Sequence, residues 1–194
     1  MTEKRKSGFS AVLIVIIVVV VAIIAITVPT YNNLATSREE VNKSYAQVEN
    51  VVQRRADLIP NLVNTVKGYT NHESETLEAV TNARAGVSEA DSPEELAAAN
   101  EAVSRAIGDI NVVVERYPDL KADTQFVALM DEISGSENRI SVERKNYNEA
   151  VQAYNSKLVR FPTNLIGNIT GFDEAEYFKA DESAKEAPVV DFNN

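Results

Sequence analysis

FSAVLIVIIVVVVAIIAITV, Phe9 to Val28, contains no charged side chain over 20 positions. At 1.5 Å of rise per residue a helix of that length spans about 30 Å, the thickness of a bilayer's hydrocarbon core. Fourteen of these residues are Val, Ile or Leu, each favouring insertion by roughly 0.3 to 0.6 kcal/mol near the helix centre. Their β-branching would weaken a helix in water, but lipid offers the backbone no partner except itself, and a helix satisfies it. A cleaved signal peptide would need a shorter apolar core, of about 7 to 15 residues, and a small-x-small cleavage site. Ala22 to Ala25 is not a clean one. The run therefore reads as a permanent transmembrane helix over 9–28, behind a short N-terminal segment, 1–8.

Lys4, Arg5 and Lys6 stand immediately before the span, whereas the twenty residues after it offer only Arg38 and Lys43. The positive-inside tendency then places residues 1–8 in the cytoplasm and the rest of the chain outside it, in the cell envelope. KRKSGFS followed by an apolar run also resembles a type IV prepilin, cleaved between Gly8 and Phe9. That family carries a glutamate at the fifth mature position, where this chain has Leu13, and the pilin reading is set aside.

The formal net charge is -10; the first 28 residues hold Glu3 against Lys4, Arg5 and Lys6, a balance of +2, so the remainder carries -12. Such a body repels phosphate backbones, which argues against DNA or RNA as a partner. Cysteine is absent, removing disulfides, thiolate metal sites and cysteine nucleophiles together.

From Leu34 the apolar residues step by three and four: Leu34, Val41, Tyr45, Val48, Val52, Ile59, Leu62, Val66, Tyr69, with Arg38 and Arg55 as polar interruptions. The same period runs through Leu96, Ala99, Val103, Ile107, Ile110, Val114, Tyr117, and again through Phe126, Met130, Ile133, Ile140, Tyr147, Val151, Tyr154, Leu158, Phe161. Each is an amphipathic helix with one buried stripe. Asp91-Ser92-Pro93-Glu94-Glu95 reads as a helix start and Tyr117-Pro118-Asp119 as a stop. The first turn falls either at Asp57 to Pro60 or near Gly68, where Thr70 and Glu73 offer a capping box. Either choice predicts an all-α chain: the N-terminal transmembrane helix, then an elongated antiparallel up-and-down four-helix bundle over 29–178. The last long helix, about Ala122 to Arg160, would extend on the order of 58 Å, with Ser134-Gly135-Ser136 as a bending point. Residues 179–194 are polar, acidic and aperiodic, and read as a disordered tail.

Asn50-Val51-Val52-Gln53-Arg54-Arg55-Ala56-Asp57-Leu58-Ile59-Pro60-Asn61-Leu62-Val63 resembles the LemA family. Tyr31-Asn32-Asn33-Leu34, Thr65-Val66-Lys67-Gly68-Tyr69, His72-Glu73, LEAVTNAR from Leu77 to Arg84, Tyr117 to Ala122, Asn138-Arg139-Ile140, Tyr147-Asn148, Tyr154-Asn155 and Arg160 to Asn164 follow in family order. The resemblance covers about Tyr31 to Phe178 and implies an N-terminal membrane helix with an antiparallel helical bundle, and no established activity. Tyr45 departs from the pattern, at a position where many relatives carry tryptophan.

Arg54, Arg55, Asp57 and Asn61 form one candidate site, a patch that docks a partner, the arginines forking onto carboxylates. The plainer reading is that they satisfy exposed backbone groups or each other. The other candidate is the aperiodic stretch Phe161 to Phe178, with Leu165, Ile166, Ile169 and Phe172 among glycines and asparagines. It either folds back on the foot of the bundle or contacts lipid headgroups or a neighbouring membrane protein. His72, the lone histidine, cannot furnish the two that a bundle di-metal site requires. No Gly-rich phosphate loop, nucleophile elbow or serine-histidine-acid set is present, so neither catalysis nor a metal or other cofactor is expected. The expected partners are the bilayer through 9–28 and a membrane or envelope protein, or further copies of the chain. The leading function is a membrane-anchored scaffold or adaptor. The alternative is a ligand-sensing helical domain that signals through a membrane partner.

Overall fold

The computed structural model describes residues 3–70 and 73–179; the expectations for His72 and for residues 180–194 of the acidic tail lie outside the described residues. Among these the chain is all-helical, with no strand. Its elements are α1 (Glu3–Lys67), α2 (Ser74–Glu89), α3 (Pro93–Val114), the single turn α4 (Pro118–Lys121), α5 (Thr124–Leu158) and α6 (Thr163–Thr170).

The apolar run and the first bundle helix are one element: α1 continues for 65 residues, through Pro29 and Pro60. Between Val12 and Val28 the large apolar side chains are 47% to 61% exposed, and none of the described residues buries them. That is a lipid-facing surface, long and apolar enough to cross a membrane.

Of the two candidate turns, Gly68 is the one used. A proline inside a helix removes a hydrogen bond and crowds the preceding turn, a loss of about 3 kcal/mol. The packed stripe passes straight through it: Val52 and Ala56 before Pro60, and Ile59, Leu62, Val63 and Val66 around and after it, are buried. Each such burial contributes roughly 1.5 to 3 kcal/mol for a Val, Leu or Ile, enough to carry the helix through. Beyond Lys67 the stripe ends. The Gly68 amide donates to Asn64 O and Thr65 O, at 3.3 and 3.2 Å, and the Thr70 amide to Val66 O at 3.1 Å, closing the last turn.

The chain packs as two compact units. In one, Lys43–Glu149 with Glu176–Asn194, four long helices form the up-and-down bundle. Tyr69 meets Asp123, Arg54 meets Glu132 and Tyr45 meets Tyr147, so α5 runs antiparallel to α1. Glu73 takes Arg116 and Tyr117, and Gly86 faces Ala99, so α2 and α3 are likewise antiparallel. In the other unit, Met1–Asn42 with Ala150–Ala175, only α1 and α5 are long. Here α6 and the extended residues after it supply the cover that α2 and α3 give elsewhere: Ile166 and Gly167 are buried, with Gly167 against Leu34 and Leu158.

Local chemistry explains the helix ends. Ser92 Oγ accepts from the Glu95 amide at 3.2 Å, the Glu95 carboxylate accepts from the Asp91 amide at 2.8 Å, and Pro93 opens α3. Asp123 caps α5, accepting from the Phe126 amide at 2.8 Å. That bond, aided by the Tyr69 hydroxyl, holds its carboxyl below the ordinary range. The expected Thr70–Glu73 capping box does not form. Thr70 donates its hydroxyl back to Val66 O, and Glu73 is drawn to Arg116 and Tyr117.

α5 runs unbroken through Ser134-Gly135-Ser136, and a Cβ built at Gly135 meets nothing within 4 Å. Gly135→Ala should therefore stabilise the protein by about 0.5 to 1 kcal/mol through the lowered entropy of the unfolded chain. A raised Tm of the helical circular dichroism signal in detergent would show it; a lowered one would mean that α5 needs the glycine.

Candidate functional site

Two polar constructions interrupt the apolar packing. The first lies on the seam itself. Leu34, Val41, Val48, Arg55 and Leu62 recur every seven residues along α1, so Arg55 occupies a slot that its neighbours fill with Val and Leu. It is 4% exposed. Its guanidinium donates to Asn100 Oδ1 and to Ser104 Oγ, each at 2.9 Å, and forms an ion pair with Glu137 of α5. Asn100, itself buried, falls four residues after Leu96 on the α3 stripe. One charged layer thus joins α1, α3 and α5. Burial pushes the Arg55 pKa down, and the Glu137 carboxylate opposes that shift. The buried Nε atom of Arg55 has no hydrogen-bond partner among the described residues.

The proposed docking patch is therefore divided. Arg55 faces inward and cannot fork onto a partner. Arg54, one residue earlier and 60% exposed as a side chain, pairs with Glu132 at 3.0 Å. Asp57 accepts from Gln53 at 2.9 Å on the open face, and Asn61 is exposed. Arg55→Ala should destabilise the protein by on the order of 3 kcal/mol, because it leaves Asn100 unpartnered and opens a gap between three helices. Denaturant unfolding should reveal the loss, whereas Arg54→Ala, at an exposed pair, should move the midpoint little.

The second construction binds the extended residues 172–179. Along α5 the pair Tyr-Asn occurs twice, seven residues apart, at 147–148 and 154–155. Asn155 donates to Ala175 O and accepts from its amide, both at 2.9 Å. Asn148 does the same to Phe178, at 3.0 and 2.9 Å. Each asparagine amide thereby acts as one rung of a β-ladder. The adjoining hydroxyls complete the set, Tyr154 donating to Asp173 O and Tyr147 to Glu176 O, at 2.8 Å each.

Aromatic rings seal both rungs. Phe178 lies edge-on to Tyr147 at 5.1 Å, stacks with Tyr45 at 6.2 Å and takes the Arg144 guanidinium over its face at 5.4 Å. Phe172 meets Tyr31 at 5.6 Å, and Arg38 covers Tyr154 at 5.5 Å. The buried Tyr45 hydroxyl has no hydrogen-bond partner among the described residues, and burial, reinforced by Glu49, pushes its pKa up to about 12. Removing one asparagine amide abolishes two hydrogen bonds. Asn155→Ala should speed exchange of the Ala175 amide by about tenfold or more, and Asn148→Ala that of Phe178, as hydrogen-deuterium exchange will show; unchanged rates would mean that the rungs hold nothing.

The stretch Phe161 to Phe178, expected to be aperiodic, contains the eight-residue helix α6. The helix sorts the residues that the sequence grouped together. Ile166 turns inward at 8% exposure and Phe172 is half-buried, while Leu165 and Ile169, four residues apart, point outward at 56% and 76%. Phe161, the last residue of the expected α5 stripe, is 83% exposed. Beside it lies a recess of about 420 Å³ lined by Pro29, Thr30, Asn33, Lys157, Arg160, Phe161 and Thr163. Nothing adjacent in the chain marks the recess, because its walls come from residues 29–33 and 157–163, more than 120 positions apart. Among the described residues no group of three His, Cys, Asp or Glu side chains could hold a metal ion.

The LemA family model matches residues 44–192. Protein LemA of Metamycoplasma hominis is 30% identical over 155 residues, 78% of this chain and 69% of that protein. Magnetosome protein MamQ 2 of Paramagnetospirillum magneticum is 26% identical over 206 residues, covering 93% of this chain and 75% of the relative. Magnetosome protein MamQ of Magnetospirillum gryphiswaldense is 24% identical over 186 residues, 82% and 68% of the two chains.

Proposed function

The chain belongs to the LemA family, and from that premise we propose that it is a membrane-tethered helical scaffold of the cell envelope, which works by binding other proteins or copies of itself. The carrying observation is α1, a single helix that supplies both the lipid-facing run and the central stripe of the bundle. In this reading residues 9–28 span the bilayer, 29–178 form the bundle domain, and the basic cluster Lys4, Arg5 and Lys6 keeps the N-terminus cytoplasmic with the bundle on the opposite side. The part of the chain after the span is strongly acidic, which keeps it soluble and away from polyanions.

Arg54, Asp57 and Asn61 are the docking residues of this reading, since they share the open face of α1 while Arg55 holds the interior beneath them. An arginine already paired with an exposed glutamate exchanges partners at little cost, because such a pair contributes about 0 to 1 kcal/mol. A photo-cross-linking side chain placed at Asn61 in the full-length protein, in cells, should capture one discrete protein product, and Arg54→Ala with Asp57→Ala should reduce it at least fivefold. Protein that stays strictly monomeric in detergent and yields no product from Asn61 would remove the scaffold reading.

A further inference from the structure

The recess beside Phe161 stands at a defined depth. Thr30 and Asn33, on its α1 wall, lie two and five residues beyond Val28 on an unbroken helix, hence about 3 and 7.5 Å past the end of the apolar run. A bilayer's polar layer extends about 5 to 7 Å beyond the hydrocarbon on each side. The recess therefore opens at the level of lipid headgroups.

Its chemistry suits that level. Lys157 and Arg160 line it and no carboxylate does, although the chain beyond the span is acidic. Lys157 is held by a hydrogen bond from its Nζ to Ser37 Oγ at 2.6 Å. The Arg160 side chain has no ion pair or hydrogen bond among the described residues, so its guanidinium is available. Thr30, Asn33 and Thr163 add polar groups to the same walls. Phe161, which lines the recess, is 83% exposed, and three further apolar side chains close to the lining residues in sequence are open to solvent in a manner that water disfavours: Ile169 at 76%, Val159 at 63% and Leu165 at 56%. Cations that fork onto phosphate, beside side chains seeking hydrocarbon, are the two halves of a site for an amphiphilic anion.

The geometry points to a site for an anionic phospholipid: its phosphate is held by Lys157 and Arg160, and its acyl chains lie beside Phe161 and the exposed flank of α1 that ends at Val28. The inference rests on residues 9–28 spanning the bilayer. Occupancy would fix α6 against the membrane surface and make the seat of the protein sensitive to lipid composition.

The chain contains no tryptophan, so Phe161→Trp in the full-length protein introduces a single reporter at the mouth. In nanodiscs its emission should shift to the blue. Brominated phosphatidylglycerol, as a minor component in phosphatidylcholine, should quench it on the order of tenfold more effectively than the same fraction of brominated phosphatidylcholine, as two surface cations predict. Arg160→Gln, which disturbs no side-chain bond, should remove most of that preference. Lys157→Gln should remove the rest, and neutralising Lys4, Arg5 and Lys6 should leave it intact. Equal quenching by the two lipids, a preference that survives both substitutions, or an identical blue shift on adding inorganic phosphate to lipid-free protein would each overturn the site. Failure of the unmodified chain to enter nanodiscs would instead remove the span and the lipid site with it, while a stable nanodisc protein without lipid preference would leave the span standing and sink only the site.

Discussion

The antiparallel pairing of α1 with α5 positions every other element. Both helices present apolar side chains every three or four residues, and these are buried in each unit: Leu34 and Leu158 in one, Val48, Val66, Phe126 and Ile140 in the other. Two helices cannot enclose such a seam. In one unit α2 and α3 complete the enclosure. In the other, where those helices do not contribute, α6 and the extended residues 172–175 do so. Pro60 and Gly135, residues that would end or bend an isolated helix, are carried within α1 and α5 because the buried stripes continue past them.

A purely apolar seam with heptad spacing has more than one workable register, since Val and Leu fit one another at several offsets. The charged layer of Arg55, Asn100, Ser104 and Glu137 removes that freedom. Sliding α1 by one turn would bury the guanidinium against hydrocarbon and leave Asn100 unsatisfied, a penalty of several kcal/mol. The layer thus acts as a register pin, and the partly exposed Glu137 limits what the burial of charge takes from stability. The Tyr-Asn rungs of α5 do for the C-terminal segment what the layer does for the helices. In each unit one asparagine amide meets both the carbonyl and the amide of a single residue, Ala175 or Phe178, which sets the alignment of the extended chain there.

Much of this was legible from residues alone where a short-range rule applied. The cap at Ser92, the stop at Pro118 and the apolar stripes of α1, α3 and α5 follow from local hydrogen-bond chemistry and helical period. The lapses occurred where a distant partner decided the outcome. Glu73 has the spacing of a capping box, yet Arg116 and Tyr117 draw it away. Arg55 sits between an exposed arginine and a buried alanine, and nothing adjacent in the chain announces that Asn100 and Glu137 await it. Residues 161–178 looked aperiodic because a helix of eight residues spans barely two turns, too few for a period to show against Gly167 and Pro162.

By itself the sequence determined the all-helical class, the lipid-facing run and the stripes that must be buried, because hydrophobic period and the need to satisfy every backbone group in lipid are properties of a single segment. Only the tertiary structure decided which polar residues lie inside, where α1 finally turns, and that Lys157 and Arg160 share a recess with Thr30 and Asn33. Those outcomes depend on contacts between residues far apart in the chain, such as Lys157 with Ser37, 120 positions earlier. A contact of that range is set by how whole helices align, which no local pattern encodes.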